Sequence, residues 1–88
     1  MYSVRLARRA ERGLRAIRSW DPHAYQRVVR AIRSLADDPR PPGARKLTGF
    51  DPPAWRIRVG GYRIVYEISD AELTVLVVNF APRGEVYR

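Results

Sequence analysis

The pattern of hydrophobic and polar positions changes about halfway along the chain, from helical spacing to strand alternation. Before position 37, apolar residues recur every three or four positions, which is typical of amphipathic helices. After position 44, apolar and polar residues alternate one by one, which is typical of half-buried strands. The two patterns predict helices in the first half and a β-sheet built mainly from the second half.

The helical half divides into two predicted helices at a clear boundary. A short strand over residues 2–6 precedes a helix from about Ala7 to Ser19. Asp21 and Pro22 then combine an N-cap carboxylate with a proline at the first helical position. A second helix therefore starts there and continues to about Ala36.

The second half begins after a stiff connector. Residues 37–43 contain three prolines, which lack the amide hydrogen that a continuing helix needs. A short strand over 45–47 and a hairpin follow, and residues 73–80 form a central strand that is apolar on both faces. The predicted order is β-α-α-β-β-β-β, an α+β fold with two N-terminal helices packed on one face of a small antiparallel β-sheet. Residues 1–88 form one domain.

The predicted hairpin carries the candidate binding chemistry. If Gly60 and Gly61 form a two-residue turn, Arg58 faces Arg63 on the paired strand, and Arg56 faces Val65. One face then holds apolar residues suited to a core: Trp55, Ile57, Val59, Tyr62, Ile64 and Tyr66. The arginines converge on the other face together with Glu67. This arrangement is compatible both with an anion site and with a sheet face that is simply solvated by charged residues.

Composition strengthens the expectation of an anionic partner. The chain carries a net charge of +8, and Lys46 is the only lysine among its 17 basic residues. Guanidinium groups stay charged and bind phosphates through two hydrogen bonds. Such a surface suits nucleic acid or an acidic protein, although a genome rich in GC also favours arginine codons.

Other chemistries are excluded or disfavoured. The chain has no cysteine, so disulfides and thiolate metal sites are excluded, and the single His23 cannot form a histidine cluster. We expect neither a metal nor a cofactor. No apolar run reaches the ~18 residues of a membrane span and no signal peptide is evident. We therefore expect a cytoplasmic protein without a membrane partner.

Three segments resemble the RelE toxin family, within the wider RelE/ParE superfamily. They are the Lys46–Gly49 motif, the run Trp55–Ile68 and the terminal segment Arg83–Arg88. The resemblance covers nearly the whole chain. It implies the toxin component of a toxin-antitoxin pair that acts as a ribosome-dependent endonuclease, cutting messenger RNA in the A site through attack of a 2′-hydroxyl on the neighbouring phosphate.

The resemblance also implies which residues act. The positions that match catalytic residues of the family are Arg56, Arg58, Arg63, Arg83 and Tyr87. The basic pair Arg45 and Lys46 is expected to bind substrate. The implied partners are messenger RNA on the ribosome and a cognate antitoxin with an acidic, C-terminal segment. The arginines would stabilise charge on the phosphate, and Tyr87 would stack on a base or orient the nucleotide.

Two departures from the family pattern keep alternatives open. Arginines replace the lysines that many relatives carry on the first hairpin strand, and arginine is a poor general base. Ala81 and Pro82 stand where relatives often have a histidine. The remaining candidates for proton transfer are Glu67, Glu85 and Tyr87. The alternatives are a ParE-like inhibitor of DNA gyrase and a catalytically inactive antitoxin-binding module.

Overall fold

A computed structural model of the protein describes residues 1–50 and 52–82, with side-chain surroundings through residue 80. The predicted order of elements is confirmed. The elements are β1 (Ser3–Leu6), α1 (Arg8–Trp20), α2 (Pro22–Ser34), β2 (Arg45–Leu47), β3 (Ala54–Val59), β4 (Tyr62–Ser69) and β5 (Thr74–Pro82).

The boundary between the helices has the predicted chemistry. The side chain of Asp21 accepts a hydrogen bond from the backbone N–H of Ala24 at 3.3 Å, and Pro22 begins the helix. This bond satisfies one of the N–H groups that a helix start leaves without a partner. Asp21 is also the C-cap of α1, since its backbone N–H donates the last helical hydrogen bond, to the carbonyl of Ile17 at 2.8 Å, and its φ of −146° leaves helical geometry. One residue thus closes one helix and opens the next.

The five strands form one sheet in the order β1-β5-β4-β3-β2. The pairs β2 with β3, β3 with β4 and β4 with β5 are antiparallel, as predicted. The first strand differs, since β1 runs parallel to β5 and the sheet is mixed. The physical reason is that two helices separate β1 from the rest of the sheet, so the chain can return in either direction.

Both helices pack on one face of this sheet. Their buried residues are Ala10, Leu14 and Ile17 of α1 and Ala24, Val28 and Ile32 of α2. They meet an apolar sheet face made of Ile57, Tyr62, Ile64, Tyr66, Val75, Val77 and Phe80. The face predicted as core is therefore the face that the helices cover, and the other face of the hairpin is left to the arginines.

Two predicted boundaries were wrong. Helix α2 ends at Ser34 rather than near Ala36, because the chain tightens into turns in which the N–H of Ala36 bonds the carbonyl of Arg33 at 3.1 Å. Leu73 does not begin the last strand. It lies in the turn before β5, with a positive φ of 53° and half of its side chain exposed.

Candidate nucleic-acid interface

The β3–β4 hairpin brings two of the predicted arginines together. Its register is the predicted one, with Arg58 opposite Arg63 and Val59 opposite Tyr62 around the Gly60-Gly61 turn. Gly60 has a φ of 59°, a conformation that glycine adopts without strain. Side chains of directly opposed residues start about 5 Å apart, so the two guanidinium groups belong to one local site.

A second pair of arginines lies one step further from the turn. Strand β2 places Arg45 opposite Arg56, and Arg56 also faces Val65 on the other side. The positions of the four arginines span about 10 Å across three strands and about 7 Å along them. The apolar residues Ala54 and Val65 lie on the same face and are 1% and 4% exposed, so the sheet surface between the arginines is closed to solvent.

One acidic residue shares this face. Glu67 pairs with Ala54 on β3 and Leu76 on β5, one step beyond the Arg45–Arg56 pair. It is half-buried, and it is the only acidic residue in the strands that the structure describes. The positive charge of the four arginines therefore exceeds the negative charge beside them. We call these four residues the arginine face: Arg45, Arg56, Arg58 and Arg63.

A pocket of about 320 Å³ opens between the arginine face and the connector that follows α2. Its walls are Pro42 and Gly43 on one side and Arg45, Arg56, Ile57 and Arg58 on the other. The Nη1 atom of Arg56 donates to the carbonyl of Gly43 at 3.5 Å, which ties the two walls together. The backbone carbonyl and the three guanidinium groups give the pocket both an acceptor and a concentrated positive charge.

The connector, residues 37–44, is called the strap from here on, and it is held at several points. The buried hydroxyl of Tyr66 donates to the carbonyl of Pro39 at 2.8 Å, and burial raises the pKa of Tyr66 to about 12. The Arg40 guanidinium makes two hydrogen bonds to the Asp70 carboxylate, at 2.9 and 3.3 Å. It also lies 5.3 Å above the centre of the Trp55 ring.

A further contact completes this cluster. The hydroxyl of Tyr2 donates to Asp70 at 2.6 Å. The hydrogen bonds from Arg40, and next those from Tyr2, hold the pKa of the Asp70 carboxyl below its ordinary value. The same bond to Asp70 raises the pKa of Tyr2. The lowered pKa of Asp70 shows that these two partners favour its ionised form.

The remaining predicted site residues are placed differently. Lys46 pairs with Trp55, so it lies on the opposite side of β2 from Arg45 and Arg56. The structure does not bring it to the arginine face. Arg83 and Tyr87, predicted as catalytic, lie outside the described residues, as does Glu85.

Sequence reasoning missed the contribution of the strap. Its prolines predicted a stiff connector, but no pattern indicated that Pro42 and Gly43 would form a wall of the basic pocket. The only hint in this segment of the sequence was the glycine at position 43. In the structure Gly43 has a φ of 91° and open space where a side chain would begin. A glycine after two prolines is also a common loop sequence, so the signal is not specific.

Across residues 1–50 and 52–82, no group of three or more His, Cys, Asp or Glu side chains is placed to hold a metal ion. Neither of the two helices in this part of the chain is long and apolar enough to cross a membrane.

Comparison with known proteins places this architecture, two helices on one face of a five-stranded sheet, among the toxins of the RelE/ParE superfamily. A family model described as the ParE toxin of type II toxin-antitoxin systems, parDE, matches residues 4–87. The chain belongs to this family. A sequence search of curated proteins found no match.

Solved structures confirm the fold and the resemblance to RelE toxins. The archaeal RelE of the RelE-RelB complex from Pyrococcus horikoshii superposes with a TM-score of 0.80 at 24% identity, over 96% of this chain and 97% of that one. The toxin-antitoxin complex RelBE2 from Mycobacterium tuberculosis gives 0.77 at 26% identity, over 93% and 98%. The isolated RelE toxin from E. coli gives 0.76 at 25% identity, over 99% and 92%.

Proposed function

We propose that this toxin is a ribosome-dependent endonuclease that cleaves messenger RNA at the arginine face. The observation that carries the proposal is the pairing of Arg58 with Arg63 and of Arg45 with Arg56 on the sheet face that the helices leave open. Like charges placed opposite each other on a sheet are destabilising. Four guanidinium groups gathered on one open sheet face are suited to bind the phosphate groups of RNA.

The chemistry proposed for this face is attack of an RNA 2′-oxygen on the adjacent phosphorus. A bond forms between the 2′-oxygen and phosphorus, and the bond from phosphorus to the 5′-oxygen breaks. The 2′-hydroxyl loses a proton to a base, and the leaving 5′-oxygen takes one up. Additional negative charge develops on the phosphate oxygens in between, and preorganised guanidinium groups stabilise that charge in the transition state.

The arginines are assigned to charge stabilisation and not to proton transfer. A guanidinium group keeps its proton at neutral pH and is therefore a poor general base. Glu67 is the carboxylate on the same face within the described residues, and it is the first candidate for the base. Arg83 and Tyr87 remain proposed site residues because they match the family pattern, with Tyr87 stacking on or orienting the nucleotide. Arg45 is proposed to bind substrate phosphate.

The proposed protein partner is a cognate antitoxin with an acidic segment. Two lines support this partner. The chain belongs to a family of type II toxins, and the relatives from P. horikoshii and M. tuberculosis were solved as toxin-antitoxin complexes. The net charge of +8 favours an acidic partner. We propose that the complex forms in the cytoplasm.

The test is induction of this chain alone in cells, followed by growth measurement and mapping of new 5′ ends on cellular messages. The proposal predicts growth arrest and cuts inside translated codons. An Arg63→Ala variant should lose both, because Arg63 lies in the middle of the sheet face. Arrest by this variant with the same pattern of cuts would contradict the proposal.

Inhibition of DNA gyrase is a second candidate, and the match to the ParE family model is the observation that favours it. The fold is shared by both branches, so architecture does not separate them. Arrest with an SOS response and intact messages would support gyrase inhibition. Normal growth with soluble protein present would instead support an inactive antitoxin-binding module.

A further inference from the structure

The strap that borders the basic pocket is fixed at its middle. Arg40 is held by a bidentate pair with Asp70 and by contact with the Trp55 ring, and the carbonyl of Pro39 is held by Tyr66. Exposed ion pairs contribute little as a rule, but two-point Arg–carboxylate geometry combined with an aromatic contact is the favourable exception. Asp70 belongs to the turn after β4, so this pair ties the strap to the far end of the sheet.

The fixed strap reaches the arginine face at its end. Three positions after Arg40, the carbonyl of Gly43 accepts a hydrogen bond from Arg56. Pro41 and Pro42 lie between these points and restrict the backbone, and the N–H of Ala44 bonds the carbonyl of Pro41 at 3.0 Å. A displacement at Arg40 therefore passes along a stiff segment to the acceptor that orients Arg56.

We infer that Arg40 and Asp70 are positioning residues for the arginine face, acting through the strap to hold Arg56 in the orientation that binds RNA phosphate. The inference rests on the proposed function for its ligand. Neither residue needs to contact RNA, since the pocket is lined by Pro42, Gly43, Arg45, Arg56, Ile57 and Arg58.

For Asp70, long-range electrostatics and the positioning role predict opposite changes in RNA affinity. Replacing Asp70 by asparagine removes a negative charge from a basic protein. Long-range attraction of RNA should then increase, and binding should become tighter. A positioning role predicts weaker binding, because the strap loses its charged anchor. The sign of the change in affinity therefore separates the two explanations.

The experiment measures binding of a five-nucleotide single-stranded RNA carrying 2′-O-methyl groups, which cannot be cleaved. The variants are Asp70→Asn and the matched control Glu72→Gln, which removes an equal charge from the same turn. Glu72 is exposed, and its backbone N–H donates to the Oγ atom of Ser69 at 3.2 Å, a bond that the substitution leaves in place. We expect Asp70→Asn to weaken binding about fivefold, within the range for groups coupled through one network. The control should bind as tightly as the wild type or more tightly.

A double variant and a spectroscopic readout complete the test. The double variant Arg40→Gln with Asp70→Asn should bind RNA no more weakly than Arg40→Gln alone, because both substitutions break the same Arg40–Asp70 pair. The Nε–Hε resonance of Arg56, recorded without RNA, should shift in Asp70→Asn and stay in place in Glu72→Gln. Thermal unfolding of each variant, followed by circular dichroism, identifies any that lose the fold, and Tyr66→Phe then supplies a second way to release the strap.

The outcomes separate the inference from the function on which it rests. Unchanged or tighter RNA binding by Asp70→Asn, with an unmoved Arg56 resonance, would overturn the inference and leave the proposed nuclease untouched. Failure of the wild type to bind the RNA probe would overturn the positioning role toward RNA phosphate, whereas the ribosome-dependent nuclease is contradicted only if induction of the toxin produces no cuts in translated messages.

Discussion

The two faces of the β3–β4 hairpin differ in both burial and charge. On the face toward the helices, Ile64 and Tyr66 are fully buried and Ile57 is 7% exposed. On the other face, alternate positions of the same strands hold Arg56, Arg58 and Arg63. Successive residues of one segment therefore alternate between the packed core and the proposed binding surface, because their side chains point in opposite directions.

This separation has a physical consequence. Residues on the helix face contribute through burial of apolar surface, so their loss is expected to unfold the protein. Residues on the arginine face oppose each other with like charges, so their loss is expected to leave the fold intact or strengthen it. Substitutions of the four arginines should therefore change activity more than stability, and substitutions of the buried residues on the helix face should do the reverse.

The largest effect is expected from a cavity on the helix face. Ile64→Ala should lower the free energy of unfolding by about 2–5 kcal/mol, because a fully buried side chain is lost and the packed surroundings relax only in part. Urea denaturation measures this change. A loss below about 1 kcal/mol would mean that the helices do not pack on this face as described.

A smaller effect, on activity alone, is expected from Arg56→Lys. Lysine keeps the positive charge but cannot make two parallel hydrogen bonds to a phosphate. The cleavage rate on ribosomes should fall about tenfold, or ~1.4 kcal/mol, while the urea midpoint stays unchanged. Full activity in the lysine variant would show that charge alone is required, which would weaken the case for a shaped phosphate site.

The next effect tests how closely α1 approaches the sheet. A Cβ atom at Gly13 would lie 2.6 Å from the ring of Phe80, which stacks on Tyr62 at a centroid distance of 5.4 Å. Alanine improves helix propensity by about 1 kcal/mol, but overpacking of this kind costs about 1–3 kcal/mol. Gly13→Ala should therefore destabilise the protein by about 1 kcal/mol net. A gain in thermal stability would contradict the close approach.

The smallest effect has the opposite sign. Arg45 on strand β2 lies opposite Arg56 on β3, and Arg45→Gln removes one of these two like charges. We therefore expect an increase in stability of about 0.2–1 kcal/mol. The same variant should bind the short RNA probe more weakly. Stability that falls together with RNA affinity would show that Arg45 has a structural role that the two-face comparison does not include.

Much of this architecture could be predicted from the sequence because its signals are local. The alternation around Gly60 and Gly61 fixed the hairpin register and both faces, and Asp21 with Pro22 marked the helix boundary. The parallel direction of β1 could not be predicted, since no turn links it to its partner β5. The end of α2 was missed because the apolar residues Leu35 and Ala36 continue the helical spacing past Ser34, although the hydrogen bonds there are those of turns.

The site was predictable only in part for a related reason. Cross-strand arginine pairs follow from register, so the placement of Arg56, Arg58 and Arg63 on one sheet face could be predicted. The strap contacts join residues far apart in sequence, such as Arg40 with Asp70 and Tyr66 with Pro39, and no periodic pattern encodes them. Lys46 was expected beside Arg45, but alternation along a strand puts neighbouring side chains on opposite faces.

The most direct test of the arginine face as the catalytic surface is a single-turnover cleavage assay with purified toxin at saturating concentration. Ribosomes carrying a defined message are the substrate, and primer extension reads the cuts. Arg56→Gln combined with Arg63→Gln is compared with Arg30→Gln combined with Arg33→Gln, which removes equal charge from the exposed surface of α2. If the arginine face is the catalytic surface, the cleavage rate should fall at least 100-fold for the first pair, as it does when transition-state hydrogen-bond donors are removed. For the second pair the rate should stay within about threefold of the wild-type rate. Equal rates for both pairs, or no cleavage by the wild-type toxin, would contradict this assignment of the catalytic surface.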